Sequence, residues 1–337
     1  MNNKIALFFA VGIFFLLPFG GRSQVNSKSL DSGNAFTLKL PGGSSTRIVA
    51  FGDTRFHDVT DTVAANAAIR QAMIAAIDQE RPALVLISGD IVYNGTDVSD
   101  WKVWDTETAG WREHQIPVFP ALGNHDLKGD QAEALANYFA RFPQLRQNRF
   151  YSLRFGNCLA LVLDSALDEI AGPQGDWLEH QLDTVPDSVD FLFILLHHPP
   201  YTSSSDEKLF GGGHSARAKE QYLGKFLEYH QQHMRARMIV LSGHVHNYEH
   251  HEHDGVTYFV TGGGGAHPYP ITHKPNDLYK DNGVNYHYLQ IDLAPELVVI
   301  TMNKVEIAKG TTIWTKPDKV TIMAPRSAAA VHSNTKP

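Results

Sequence analysis

RIVAFGDTR (47–55) carries a short apolar run directly into a Gly-Asp pair, and the same transition recurs along the chain. ALVLISGD (83–90), IPVFPALGN (116–124), CLALVLDS (158–165), DFLFILLHH (190–198) and MIVLSGH (238–244) each end an apolar stretch on polar or metal-ligand side chains. Near-continuous apolar runs of this length suit strands buried on both faces. Between them, residues 62–80, 99–113, 130–142, 176–184 and 215–234 read as helices. Asp61 or Thr62 and Ser99 suit N-caps, and Pro82 stops the first helix. Strand and helix signals in alternation predict a mainly parallel sheet with helices outside it. The final third differs, because GVTYFVTG (255–262), YHYLQIDL (286–293) and ELVVITMN (296–303) follow one another with no helix between. These predict a second, more antiparallel sheet, the two sheets packing face to face under helices.

With 337 residues the chain has ample length for a large α/β catalytic domain. MNNKIALFFAVGIFFLLPFGGRSQ (1–24) puts one Lys ahead of an apolar run from Ile5 to Phe19, then small residues. That is a secretory leader pattern, with cleavage expected after Ser23. The alternative, a membrane anchor, is disfavoured because the run falls short of the roughly 20 residues that a spanning helix needs. Formal charge is −7, and taking away Lys4 and Arg22 with the leader makes it −9. This argues against nucleic acid or an anionic membrane as the main partner. Cys158 is the only cysteine and lies in an apolar run, so an intrachain disulfide and a Cys-rich metal site are both excluded and a buried, inert thiol is expected. The expected organisation is a leader at 1–23, a linker at 24–34, a catalytic domain at 35–315 and a flexible tail at 316–337. The location is exported, periplasmic or secreted, with no stable membrane insertion after cleavage.

Five short segments, GDTR (52–55), GDIVYNG (89–95), GNHD (123–126), HHPP (197–200) and GHVHNYEH (243–250), each fall where a strand would end. In α/β sheets, ligands gather beyond the carboxyl ends of the strands, so Asp53, Asp90, Asn124, His197, His244 and His246 are expected to face one cleft. A separation of two puts His244 and His246 on the same side of extended backbone. Carboxylates, an amide carbonyl and imidazoles together form a mixed oxygen and nitrogen set, which suits Zn, Fe or Mn better than Mg alone.

In this ordered set of motifs the chain resembles the calcineurin-like metallophosphoesterase superfamily, from about residue 47 to 303. The resemblance implies an α/β, four-layer αββα sandwich with two mixed β-sheets flanked by helices. It also implies hydrolysis of phosphate esters at two divalent or trivalent metal ions. Asp53 and His246 would bind the first metal, Asn124, His197 and His244 the second, and Asp90 would bridge them. Tyr93, three residues after Asp90, and the stretch GHVHNYEH resemble purple acid phosphatases, in which such a Tyr binds ferric iron. A rim or core aromatic is the alternative for Tyr93. The implied substrate is a small-molecule phosphomonoester attacked by a metal-bridging hydroxide, with a phosphodiester or a non-catalytic binding role as alternatives.

The chain departs from the common first-motif patterns, Asp-x-His and Gly-Asp-x-Gly, because Arg55 stands at the variable position. Arginine stays protonated and is not a metal ligand. It suits bidentate contact with phosphate, or an ion pair with an acid such as Asp58. The resemblance implies His125 as the proton donor to the leaving group, with Asp126 orienting or polarising it, and a structural histidine held by the backbone is the alternative. His214, in GGGHSAR, is the expected substrate-side imidazole, and His198 and Tyr201 either line the cleft or pack the loop. His250, His251 and His253 read as surface residues rather than a third metal site. Gly262–Gly265 lack a following Lys-Ser or Lys-Thr and read as a tight turn near the cleft, not a phosphate loop. Trp101, Trp104 and Trp111 read as core.

Overall fold

The computed structural model describes residues 33–41, 45–205 and 214–325. Each expected apolar run forms a strand: β2 (Thr46–Phe51), β3 (Leu84–Ile87), β4 (Val118–Pro120), β6 (Cys158–Val162), β7 (Phe191–Leu195), β8 (Arg237–Ser242), β10 (Val256–Thr261), β11 (Tyr286–Ala294) and β12 (Leu297–Ala308). Five more, β1 (Ala35–Leu38), β5 (Tyr151–Phe155), β9 (Tyr248–His253), β13 (Thr311–Thr315) and β14 (Lys319–Met323), complete two mixed sheets. The first sheet runs β1-β5-β6-β7-β8-β10-β9, and the second runs β13-β12-β11-β2-β3-β4 with β14 also paired to β12.

This partition corrects the expected one. The parallel strands do not share a sheet: β2, β3 and β4 pair in the second, while β6, β7 and β8 pair in the first. The last third divides as well, β10 joining β8 in parallel and β11 joining β2 antiparallel. Lys319–Met323, expected in the tail, forms a strand against β12. Asn34, expected in the linker, is buried, and its carbonyl accepts the Ser152 amide at 2.9 Å. The leader falls outside the described residues, as do residues 326–337.

Layering follows from the two-residue period of the strands. Cys158, Ala160 and Val162 of β6 and Phe191, Phe193 and Leu195 of β7 face the second sheet and share its core. Their neighbours Leu161, Leu192 and Ile194 face outward onto Trp177 and Leu178 of α5 (Gly172–Asp183) and Leu223 of α6 (Ala218–His233). Helix α1 (Ala67–Glu80) packs on β11 and β12, covering the second sheet. Trp111 of α3 (Ala109–Glu113) meets Phe51 edge to face, and α2 (Val98–Glu107) buries Trp101 and Trp104 as expected. The result is helix, sheet, sheet, helix. Helix α4 (Gln131–Arg141) adds Tyr138, whose hydroxyl donates to the Pro120 carbonyl at 2.9 Å.

Helix starts differ from expectation for a local reason. Asp61 accepts the Val63 and Ala64 amides in a turn, and Asn66 is the residue that caps α1. Asp97, two residues before Ser99, caps α2. Arg81 ends α1 in the left-handed region just ahead of Pro82. Among the described residues no helix is long and apolar enough to cross a membrane.

Candidate metal centre

The loops after β2, β3, β4, β7 and β8 are knitted together by backbone before any side chain is considered. The Asp53 amide donates to the Gly89 carbonyl at 3.0 Å, and the Gly243 amide to the His197 carbonyl at 2.9 Å. The His244 amide donates to Asp53 Oδ2 at 2.9 Å, joining the first motif to the last. Close approach needs glycine: a Cβ on Gly123 would lie 2.3 Å from Asp90 Oδ1. Asp53, Arg55, Asp90 and His244 all have positive φ, between 43° and 68°. Such conformations cost on the order of 1–3 kcal/mol each and persist only where surrounding contacts enforce them.

The ligand side chains assemble as two groups beside one carboxylate. In the first, Asn124 Oδ1 lies 3.0 Å from His197 Nε2 and 3.1 Å from His244 Nδ1, and the two ring nitrogens are 3.3 Å apart. In the second, Asp53 Oδ1 and His246 Nε2 face each other at 3.7 Å. Asp90 Oδ1 stands 3.2 Å from His197 Nε2. Backbone carbonyls set the tautomers: Ser88 accepts from His197 Nδ1 at 2.9 Å and His267 from His246 Nδ1 at 2.7 Å, so both Nε2 atoms carry lone pairs.

Among the described residues, neither Asp53 Oδ1 nor His246 Nε2, both buried, has a hydrogen-bond partner. Two buried lone-pair donors facing each other repel unless a cation lies between them, and leaving either unsatisfied costs about 1–3 kcal/mol. The donor set therefore fits a metal ion, and the oxygen and nitrogen mixture fits Zn, Fe or Mn.

Charge in the pocket agrees. Burial, and then the neighbouring Asp90, push the Asp53 carboxyl well above its ordinary range. Burial acts on Asp90 in the same direction, but His197, Arg55 and His125 outweigh it and hold that carboxyl below the usual range. Burial lowers His244 and His246 far enough to keep both imidazoles neutral, the form that binds metal.

The remaining expected residues divide. His125 borders the ligands: its amide donates to Asp90 Oδ1 at 2.8 Å and its Nδ1 meets the Tyr93 carbonyl at 2.7 Å. Asp126 does not orient that ring, contrary to expectation. Its fully buried carboxylate instead accepts the amides of Ile91, Val92 and Gly123, fixing the loop, and burial and Asp90 raise its carboxyl to about 8. Arg55 pairs with Asp90 rather than Asp58, which caps Thr60. The His214 ring lies 4.2 Å from that of His244 and 6.3 Å from that of His246. Tyr93 is flanked by two imidazoles and an ammonium. Its ring lies 4.8 Å from His57 and 5.3 Å from His125, with the Lys128 ammonium 4.2 Å from its centre.

His198 is buried against Ser165 Oγ at 2.8 Å, and the Tyr201 hydroxyl donates to Glu228 in the loop packing. His250 and His251 are not surface residues. His250 pairs with Asp318 at 3.0 Å, and His251 bridges Glu249 and Asp277 at 3.2 and 3.3 Å. The glycine run after β10 packs on the first motif, the Gly264 amide donating to the Gly52 carbonyl at 2.9 Å, in keeping with a tight turn. Ser88, His267 and Tyr269, which hold the ligand histidines through carbonyl or hydroxyl oxygens, carried no motif signal. Burial pushes the Cys158 thiol up, as an inert cysteine requires.

Residues 46–248 match the calcineurin-like phosphoesterase family. A probable cyclic nucleotide phosphodiesterase of Synechococcus sp. is 31% identical over 186 residues, 52% of this chain and 62% of that protein. A probable glycerophosphodiester phosphodiesterase of Arcobacter nitrofigilis is 33% identical over 127 residues, 36% of this chain and 43% of that protein. A solved purple acid phosphatase from yellow lupin (Lupinus luteus) seeds superposes with a TM-score of 0.63 at 19% identity, over 84% of this chain and 54% of that one. At that identity the likeness is one of fold alone. In each case this chain spans less than two thirds of the protein it matches.

Proposed function

Because this chain belongs to the calcineurin-like phosphoesterase family, we propose that it hydrolyses small phosphomonoesters at a centre of two metal ions. The observation that carries this reading is the pair of buried, partnerless atoms Asp53 Oδ1 and His246 Nε2, beside the cluster of Asn124, His197 and His244. Asp53 and His246 would hold one ion, Asn124, His197 and His244 the other, and Asp90 lies next to both. When bound, the ions supply an activated water nucleophile and neutralise charge on the phosphoryl oxygens. The chain's own groups do the rest. His214 lines the substrate side next to His244, and Arg55 adds a fixed positive charge that favours a dianionic monoester over a monoanionic diester. His125, held through Nδ1 by the Tyr93 carbonyl, presents Nε2 as the nitrogen that gives a proton to the departing oxygen. The leader pattern at 1–23 supports an exported enzyme.

A phosphodiester substrate is the second reading, favoured by the two relatives at 31% and 33% identity, both named as phosphodiesterases. Rates on nitrophenyl phosphate and on its bis-ester separate the two. We expect the monoester to be turned over faster, and a strong preference for the bis-ester would reverse the assignment.

Tyr93 has its own test. A phenolate on ferric iron absorbs visible light by charge transfer. If Tyr93, packed by His57, His125 and Lys128, binds ferric iron, the oxidised, iron-loaded protein should be coloured, and a colourless one would exclude that role. A visible band that disappears in Tyr93→Phe would put Tyr93 among the ligands.

A further inference from the structure

Asp90 shares its two oxygens between different neighbours. Oδ1 lies 3.2 Å from His197 Nε2 and accepts the His125 amide at 2.8 Å, so it serves the group of Asn124, His197 and His244. Oδ2 is taken by Arg55, whose Nη2 and Nε donate to it at 3.2 and 3.4 Å. The guanidinium is held at its backbone too: the Arg55 amide donates to the Asp90 carbonyl at 3.0 Å, and the Arg55 carbonyl accepts Nη1 of Arg70 at 3.4 Å. Arg70 is in turn fully buried on Glu107.

From this arrangement we infer that Arg55 makes the two metal positions unequal, the Asn124–His197–His244 position holding its ion tightly and the Asp53–His246 position holding its ion weakly. The inference rests on the dinuclear reading above and adds an order of affinity to it. Two physical effects act in the same direction. Arg55 donates twice to Oδ2 of Asp90, so an ion beside Asp53 must either share Oδ1 with the His197 side or compete with the guanidinium for its third protein ligand. Arginine also keeps its charge at every accessible pH, and its side chain is only 13% exposed, so its repulsion of an incoming cation is poorly screened. The other position is better placed against both effects, because the Asp90 oxygen on that side is free of arginine and Asn124, His197 and His244 stand there against Asp53 and His246 alone. Arg55 would thus act as a resident cation in place of a ligand, leaving one ion exchangeable and the other fixed.

The test is calorimetric titration of the chelator-stripped, full-length protein with Mn²⁺. Wild type should take up two equivalents in steps separated by about 10- to 100-fold in affinity, the range typical of losing one supporting group around a metal. Arg55→His, which removes the charge and offers a neutral ligand, should narrow the gap by about tenfold or more. Arg55→Met, which removes only the charge, should tighten the weaker step by a smaller factor. His246→Ala should delete the weaker step and spare the tighter one. Two equal steps in wild type, a weaker step unmoved in both Arg55 variants, or loss of the tighter step in His246→Ala would each overturn the inference while leaving the dinuclear reading standing. Failure of the wild type to take up Mn²⁺ at all would overturn both. Circular dichroism of each variant confirms that the titrated protein is folded.

Discussion

Asp90→Ala is expected to abolish turnover and strip the protein of metal. The residue is fully buried and touches both halves of the pocket, through His197 and the His125 amide on one oxygen and Arg55 on the other. Removing the carboxylate takes away a shared ligand. It also leaves the Arg55 guanidinium without its counter-charge beside the place where two cations must sit, and like charges a few ångströms apart in a partly desolvated pocket repel strongly. The loss should be on the order of 10⁴-fold or more, since the whole metal contribution goes with it, and even that is a modest part of the acceleration enzymes achieve. Steady-state rates with metal analysis of the same sample decide the matter. Full metal content in the variant would show that Asp90 holds neither ion.

The second large effect lies one step away from the metals. His125→Ala should slow turnover by about 10²–10⁴-fold while metal content stays at the wild-type level. The reasoning depends on which part of His125 does what. Its amide supports Asp90 Oδ1, and alanine keeps that bond. Its ring is oriented by the Tyr93 carbonyl and belongs to neither ligand group. Burial lowers the imidazole below its ordinary range, with Asp90 acting in the opposite direction, so the donor role should be strongest on the acid side of neutrality and fade as pH rises. The deficit should shrink for a nitrophenyl ester, whose leaving group departs without help, and grow for an alkyl ester. An equal deficit on both, or loss of metal, would remove His125 from the proton-donor role.

How far these residues could be read in advance depended on the range of the interactions that place them. Asp53, Asp90, Asn124 and His197 were legible because each follows an apolar run of its own, His244 and His246 because they follow one together, and strand ends converge whatever the sheet order. Sheet membership was not legible. Periodicity identifies β10 and β11 as strands, but only their pairing, β10 to β8 and β11 to β2, assigns them to different sheets. The histidines of β9 misled for a similar reason. A run of His and Glu looks solvated until Asp318 and Asp277, far along the chain, are seen to satisfy His250 and His251 inside the protein. Asp126 looked like a partner for its neighbour His125, yet its acceptors are needed by backbone amides more than thirty residues earlier in sequence. Arg55 was ambiguous between Asp58 and phosphate because its actual partner, Asp90, lies in the loop after the next strand.

The division of the parallel strands between two sheets has a consequence for how the protein matures. Asp53, Asp90 and Asn124 leave strands of one sheet, whereas His197, His244 and His246 follow strands of the other. Neither half of the chain contains a complete set of donors, and the bond from the His244 amide to Asp53 closes a loop of 191 residues. Such closure is among the last and slowest events available to a chain of this topology. Any ion held here would therefore be captured only after the two sheets have docked, and would then act as a clasp across their seam, raising the free energy needed to pull them apart by mass action.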